Sequence, residues 1–183
     1  MTRTVHLIRH GQSTFNAHMT ATGEDPMTPD APLSSVGEAQ VADLRTRMAD
    51  VAVDLLVTTP FTRAIQTGLG AFGGRGLPVV VEALHREHLG ASCDVGRSPA
   101  ILAESFPDLE FGHLDDPWWH HDPDHDGPFA IEPHPSLEDR VERFREWLSG
   151  RPERRIVVVG HGTFFWKLTG RFMNNAEVVT LEL

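Results

Sequence analysis

The sequence predicts an α/β protein built on a mostly parallel central sheet. Short apolar, β-branched runs at residues 4–8, 53–58, 77–81 and 155–159 alternate with helical segments. Several of these runs break off into polar or glycine-flanked motifs, where open α/β sheets gather their ligands. The last run, residues 176–183, alternates apolar and polar positions like an edge strand with one polar face.

Composition sets the outer limits. At 183 residues the chain is expected to form a single domain, 1–183, with a sizeable core. No apolar run approaches the roughly eighteen residues of a membrane span. Met1-Thr2-Arg3-Thr4 leads into a strand without a signal-peptide pattern. Cys93 is the sole cysteine, which excludes an internal disulfide framework and fits a reducing cytoplasm. The formal net charge of −10 argues against nucleic acid or an anionic membrane as partner. An anionic substrate would then be met by a local cluster of arginines and histidines. The alternation of the last strand suits a second chain as well as sheet closure, so it leaves the oligomeric state open.

The first strand, Thr4-Val5-His6-Leu7-Ile8, hands over to Arg9-His10-Gly11. Gly11 permits a sharp turn, so Arg9 and His10 stand at a strand end. An arginine offers a fixed fork of donors to a phosphate, and a neutral imidazole offers a nitrogen nucleophile. A lone Arg-His pair is also a common surface pair, so the weight rests on what the other strand ends deliver.

Residues 17–32 are polar, without hydrophobic periodicity, and read as loop. Leu33-Ser34-Ser35-Val36-Gly37 opens a helix capped by Ser34 or Ser35, with Val41, Leu44 and Met48 on its apolar face. After the strand at 53–58, Thr59 is expected to cap a helix with Pro60 at its first position. Arg63 then lies one turn inside that helix. It is either a solvated surface arginine or one leaning back toward the strand ends, beside a helix N-terminus that favours anions. Residues 68–76 form a glycine-dense exit, and 77–81 the third strand.

The segment 82–90 is crowded with ionisable groups, among them Glu82 and Glu87. Asp94-Val95-Gly96-Arg97 reads as a turn, and Ser98-Pro99 opens a short helix that Pro107 stops. Residues 107–135 are irregular and dense in Pro, Asp and His. A loop this long is usually functional or mobile. It reads as a lid packed down by Trp118 and Trp119, as a surface excursion anchored by them, or as a metal site built from His120, His121, Asp122, Asp124, His125 and Asp126. The last reading lacks helical ligand spacing. Ser136 caps an amphipathic helix carrying Leu137, Val141, Phe144, Trp147 and Leu148 on one face, and Gly150 ends it. The strand at 155–159 runs into Gly160-His161-Gly162 and a helix over about 163–170. Three strand ends thus deliver Arg9 with His10, Arg63, and His161. A phosphoryl group needs several donors around one point, so this convergence outweighs any single pair.

The ordered set resembles the histidine phosphatase superfamily, the phosphoglycerate mutase-like proteins, over almost the whole chain. Its carriers are Leu7-Ile8-Arg9-His10-Gly11-Gln12-Ser13-Thr14-Phe15-Asn16, Leu33-Ser34 with Gly37, Thr59-Pro60 with Arg63-Ala64 and Gln66-Thr67, and Gly160-His161-Gly162. The resemblance implies a three-layer α/β/α sandwich and a phosphatase working through phosphohistidine on His10. It implies that Arg9, Arg63 and His161 surround the phosphoryl oxygens and that Asn16 adds a contact. Glu87 is the implied proton donor and Glu82 its alternative. Gln12 stands where the family often has Glu and is expected to tune the pocket.

The chemistry stands on its own terms as well. Histidine attacks only as neutral imidazole, and adjacent arginines disfavour the imidazolium. The second ring nitrogen needs an acceptor, such as a backbone carbonyl, to fix the tautomer. Glu87 would protonate the leaving oxygen and then assist water. No metal or other cofactor is required, and the expected partner is a small-molecule phosphomonoester. A mutase is the alternative within the enzyme class, disfavoured by the chain's short length. A non-catalytic phosphate-binding module is the alternative outside it.

Overall fold

A computed structural model describes residues 2–183. Its centre is a five-stranded sheet made of β1 (Thr4–Arg9), β2 (Leu55–Thr58), β3 (Val79–Val81), β4 (Arg155–Gly160) and β5 (Val178–Glu182). The strand order is β3-β2-β4-β1-β5. β1 to β4 are mutually parallel, and β5 closes the β1 edge antiparallel. The carboxyl ends of the four parallel strands therefore share one edge. β1 and β2 flank β4, so the residues following these three strands become neighbours in space.

Strand alternation divides the core in two. Val5, Leu7, Leu55, Val57, Ile156 and Val158 face α5 (His134–Ser149) and α6 (Gly162–Thr169), packing on Phe144, Phe164 and Phe165. Ile8, Leu56, Val157 and Val159 face α2 (Ser35–Arg47) and α3 (Thr62–Phe72), where Leu44, Ile65 and Phe72 meet them. The result is the three-layer α/β/α sandwich. Among the described residues no helix is long and apolar enough to cross a membrane.

Several boundaries differ from the sequence reading, each for a local reason. Residues 17–22 are not loop, because α1 covers Thr14–Thr22. Ser13 caps it, and Asn16 answers with its own side chain on the Ser13 N–H, a capping box. Only Phe15 of that helix is buried, which left no hydrophobic periodicity to read. The helix after β2 starts at Thr62, not at Pro60, and its cap comes from a distant carboxylate: Asp30 Oδ1 accepts the Thr62 N–H at 2.8 Å. This helix also runs through Gly68 and Gly70 to Phe72, where a glycine-dense exit was expected. A Cβ on Gly70 would stand 2.5 Å from Val41 Cγ1, so close packing on α2 selects that glycine, whereas one on Gly68 would make ordinary contact with Leu56 at 3.4 Å. The last long helix, α5, begins at His134 rather than after Ser136, and the Ser136 hydroxyl bonds the Glu132 carboxylate instead.

The start of α2 is latched to the turn after β1. Ser34 N–H donates to Gln12 O at 2.9 Å, and Ser34 Oγ to Gln12 Oε1 at 2.8 Å. The Gln40 side chain accepts the Gln12 N–H at 2.8 Å. The Gln12 side-chain oxygen thus belongs to this latch. A Cβ on Gly37 would stand 2.0 Å from Gln12 O. Both sides of that contact are backbone and have no rotamer with which to yield. Gly37→Ala is expected to lower unfolding stability by about 1–3 kcal/mol in a urea titration, with the slope of the transition unchanged.

Candidate active site

The carboxyl edge of the sheet gathers the predicted strand-end residues. His10 follows β1 and is buried. Its Nδ1 lies 2.7 Å from Gly11 O, so Nδ1 carries the proton and Nε2 presents its lone pair. Arg63 Nε donates toward that Nε2 at 3.3 Å. The His10 backbone is held as well. Asn175 Nδ2 donates to His10 O at 2.9 Å, and Ala176 N–H donates to Arg9 O at 3.0 Å. Ala176 takes a φ of 57° to do so, a strained left-handed conformation for a residue with a Cβ.

Arg63, the second residue of α3, is not a solvated helix arginine. It is 2% exposed, and its guanidinium stacks 4.2 Å from the Phe61 ring centroid. Its Nη1 donates to Cys93 O at 2.8 Å, and its Nη2 to Asp94 Oδ1 at 3.0 Å. Arg9, the last residue of β1, donates from Nη1 to Met173 O at 2.7 Å. Its Nε lies 3.2 Å from where a Cβ on Gly162 would stand, so the glycine after His161 makes room for the guanidinium.

His161 follows β4 and is fully buried beside His10, with ring centroids 5.1 Å apart. Its Nε2 lies 2.7 Å from Thr59 Oγ1. With the Thr59 hydroxyl donating, the remaining N–H falls on Nδ1. Thr59, expected as a helix cap, is therefore the partner that orients His161. Among the described residues, the buried side-chain nitrogens without a partner are Arg9 Nε, His161 Nδ1 and His85 Nδ1. The first two belong to residues of the candidate site.

Glu87 lies at the N-terminus of α6, where its carboxylate accepts the N–H groups of Thr163 and Phe164 at 3.1 Å each. It is close enough to Arg9 to oppose the loss of that side chain's proton. Glu82 bonds the Leu84 N–H and lines a separate crevice of about 520 Å³ with Arg86, His113, Trp118 and Arg143. Asn16 uses Oδ1 in its capping box, which leaves the Nδ2 amide as its donor.

Two residues of the site escaped the sequence reading. Asp94, read as part of a turn, closes a 3₁₀ turn at Ser92–Asp94 and pairs with Arg63. His85 is fully buried behind Gly160, 3.2 Å from Val159 O and stacked on Phe144. A cysteine and an aspartate two residues before a glycine was the one signal for the first. Nothing in the sequence distinguishes His85 from its half-buried neighbours.

The 107–135 segment touches the site indirectly. Trp118 is buried on Phe61, whose ring packs edge-on to His161 at 5.1 Å. The Trp118 indole N–H donates to Arg97 O at 2.8 Å. Residues 121–128 are exposed, and among the described residues no three His, Cys, Asp or Glu side chains converge as metal ligands would.

Burial dominates the electrostatics. It holds His10 well below the ordinary imidazole range, with Arg63 and Arg9 adding to the shift against the Gly11 carbonyl. It does the same to His161, with Arg63 and His10 contributing. It pushes the Asp94 carboxyl up to about 6 against the pull of Arg63. Both site imidazoles therefore stay neutral as the pH falls through 6.5, where a free histidine takes up its proton. Proton NMR of the wild-type protein is expected to show flat His10 and His161 ring shifts from pH 8 to 6. A midpoint near 6.5 for either ring would contradict this account.

The family model for the histidine phosphatase superfamily (branch 1) matches residues 5–180. The chain is 29% identical over 211 residues to a phosphoglycerate mutase-like protein of Arabidopsis thaliana, covering 93% of this chain and 74% of that one. It is 25% identical over 176 residues to the glucosyl-3-phosphoglycerate phosphatase of Mycolicibacterium vanbaalenii, with 93% and 74% covered. Among solved structures, the alpha-ribazole phosphatase of Shigella flexneri superposes with a TM-score of 0.67 at 22% identity, over 97% of this chain and 89% of that one, a likeness of fold.

Proposed function

Because the chain belongs to the histidine phosphatase superfamily, we propose that it hydrolyses a small-molecule phosphomonoester, without a metal, through a phosphohistidine on His10. The observation that carries this reading is the His10 ring itself. Its proton is tied to the Gly11 carbonyl at 2.7 Å, and its free Nε2 faces an arginine N–H at 3.3 Å. His161 lies beside it, ring centroids 5.1 Å apart, and Arg9 Nε and His161 Nδ1 are buried without a protein partner. A surface histidine needs none of this.

In the first step Nε2 attacks phosphorus, the ester P–O bond breaks, and the leaving oxygen takes a proton from Glu87. Arg9, Arg63 and His161 stabilise the charge on the equatorial oxygens, with Asn16 adding its amide. In the second step water attacks the phosphohistidine, Glu87 accepts its proton, and phosphate leaves with the His10 lone pair restored. Glu87 enters the first step as the acid and the second as the carboxylate, and the backbone N–H groups at the start of α6 fix the position of its carboxyl group.

The names of the Arabidopsis relatives favour one second reading, transfer of the phosphoryl group between positions of a phosphoglycerate. Product analysis separates the two. Free phosphate marks the phosphatase, and isomer without phosphate marks the mutase.

The direct test is hydrolysis of an aryl phosphate in excess chelator, wild type beside His10→Ala. Wild type is expected to turn over and to yield a phosphoenzyme on rapid quench, and His10→Ala to yield neither. Arg9→Ala is expected to retain activity reduced about a hundred- to a thousandfold, the usual cost of one preorganised donor. Activity lost to chelator and restored by zinc or manganese would overturn the proposal.

A further inference from the structure

The buried carboxylates of this fold hold arginines, but they do different things. Glu132 binds Arg140 through both oxygens at 2.8 and 2.7 Å and ties the end of the irregular segment to α5. Asp30 caps α3 through Thr62 and meets Arg97 at 3.2 Å. Asp94 meets an arginine of the candidate site. We propose that Asp94 is a positioning residue that fixes the Arg63 guanidinium so that only its Nε edge turns toward His10 and the phosphoryl group. The inference rests on the reading of Arg63 as a phosphoryl-binding group.

The guanidinium has two donor edges and two faces. Phe61 covers one face at 4.2 Å. The Nη edge is closed by Cys93 O at 2.8 Å and Asp94 Oδ1 at 3.0 Å. The Nε edge remains, 3.3 Å from the nucleophile. Of the groups closing the Nη edge, Asp94 supplies the charge, and charged acceptors form the stronger bonds. Its own orientation is fixed independently, because Oδ2 accepts the N–H groups of Gly90 and Ala91 at 3.2 and 3.1 Å. The turn that carries it is fixed too: Ser92 N–H donates to Asp25 at 2.9 Å, and Trp118 holds the Arg97 carbonyl.

This arrangement gives Arg63 a second task. Its Nε–H is directed at the His10 lone pair. At 3.3 Å that bond is longer than the usual 2.9–3.0 Å for an N–H donor. A phosphoryl oxygen carries charge and is the better acceptor, so the Nε–H passes from nitrogen to oxygen when the ester arrives. The lone pair is then free to attack, and the guanidinium has not had to rotate. A guanidinium loose on its Nη edge would have to be re-oriented at each binding event.

The test is a double-mutant cycle on orthovanadate, a phosphate-shaped oxyanion whose binding needs no turnover. Affinities are measured by calorimetry for wild type, Asp94→Asn, Arg63→Ala and the double variant, each checked for a native melt. Asp94→Asn retains the size of the side chain. It is expected to weaken vanadate binding about ten- to a hundredfold in the wild-type background, and less than twofold when Arg63 is already alanine. An equal loss in both backgrounds assigns Asp94 a merely structural role and overturns the proposal. So does wild-type affinity in Asp94→Asn. Vanadate binding that obeys the cycle in a protein that hydrolyses no ester would overturn the phosphatase reading and leave this one standing. Should Asp94→Asn not fold, the wild-type Arg63 Nε–H is followed by ¹⁵N NMR, assigned with Arg63→Lys. A slowly exchanging signal that shifts on adding vanadate is expected, and its absence overturns the proposal.

Discussion

The burial of one guanidinium organises this molecule. Removing a cation from water is expensive unless its donors are met. Arg63 meets that cost with a carbonyl, a carboxylate, an imidazole nitrogen and an aromatic face, contributed by separate stretches of chain. Each contributor needs its own support. Asp94 depends on the backbone of Gly90 and Ala91. Phe61 depends on Trp118, and His10 on Gly11 and Asn175. The loops at the carboxyl edge are therefore organised around one buried charge as well as by the hydrophobic core beneath them.

Much of this was legible in the sequence, and the limits were physical. The strands and the apolar faces of α2 and α5 were readable because burial imposes a period. The strand ends were readable because Arg9, His10 and His161 directly follow apolar runs. What escaped was held by contacts distant in sequence. The start of α3 depends on Asp30, which lies thirty-two residues away from Thr62. Thr59 looked like a cap and orients His161 instead, across a sequence separation of 102. Asp94 acts on Arg63 from thirty-one residues further along. Helix α1 was missed for a different reason: a capping box fixed it locally while burying almost nothing.

The motif Leu33-Ser34 with Gly37 gains a physical meaning. It marks a backbone-to-backbone approach rather than chemistry. Gly37 has no Cβ because Gln12 O occupies that space, and Ser34 bonds the same residue through its N–H and its hydroxyl. The turn that aims His10 is thereby clamped against α2. Gly11 N–H is received by Thr67 Oγ1 at 3.0 Å, so α3 clamps it from the other side. A pattern without an ionisable side chain thus sets the direction of the His10 ring.

The irregular segment is fastened at Trp118 and at Glu132 and largely exposed between them. Trp118 is locked onto Phe61 and the Arg97 carbonyl, and Glu132 is locked onto Arg140. Residues 121–128 between these anchors lie in solvent. Closing a loop between fixed points costs little extra as it lengthens, about 0.6 kcal/mol for each doubling. Extra residues there would leave the anchors, and through them the packing of Phe61 on His161, undisturbed. The two anchors, and not the stretch between them, therefore carry this segment's bearing on the candidate site.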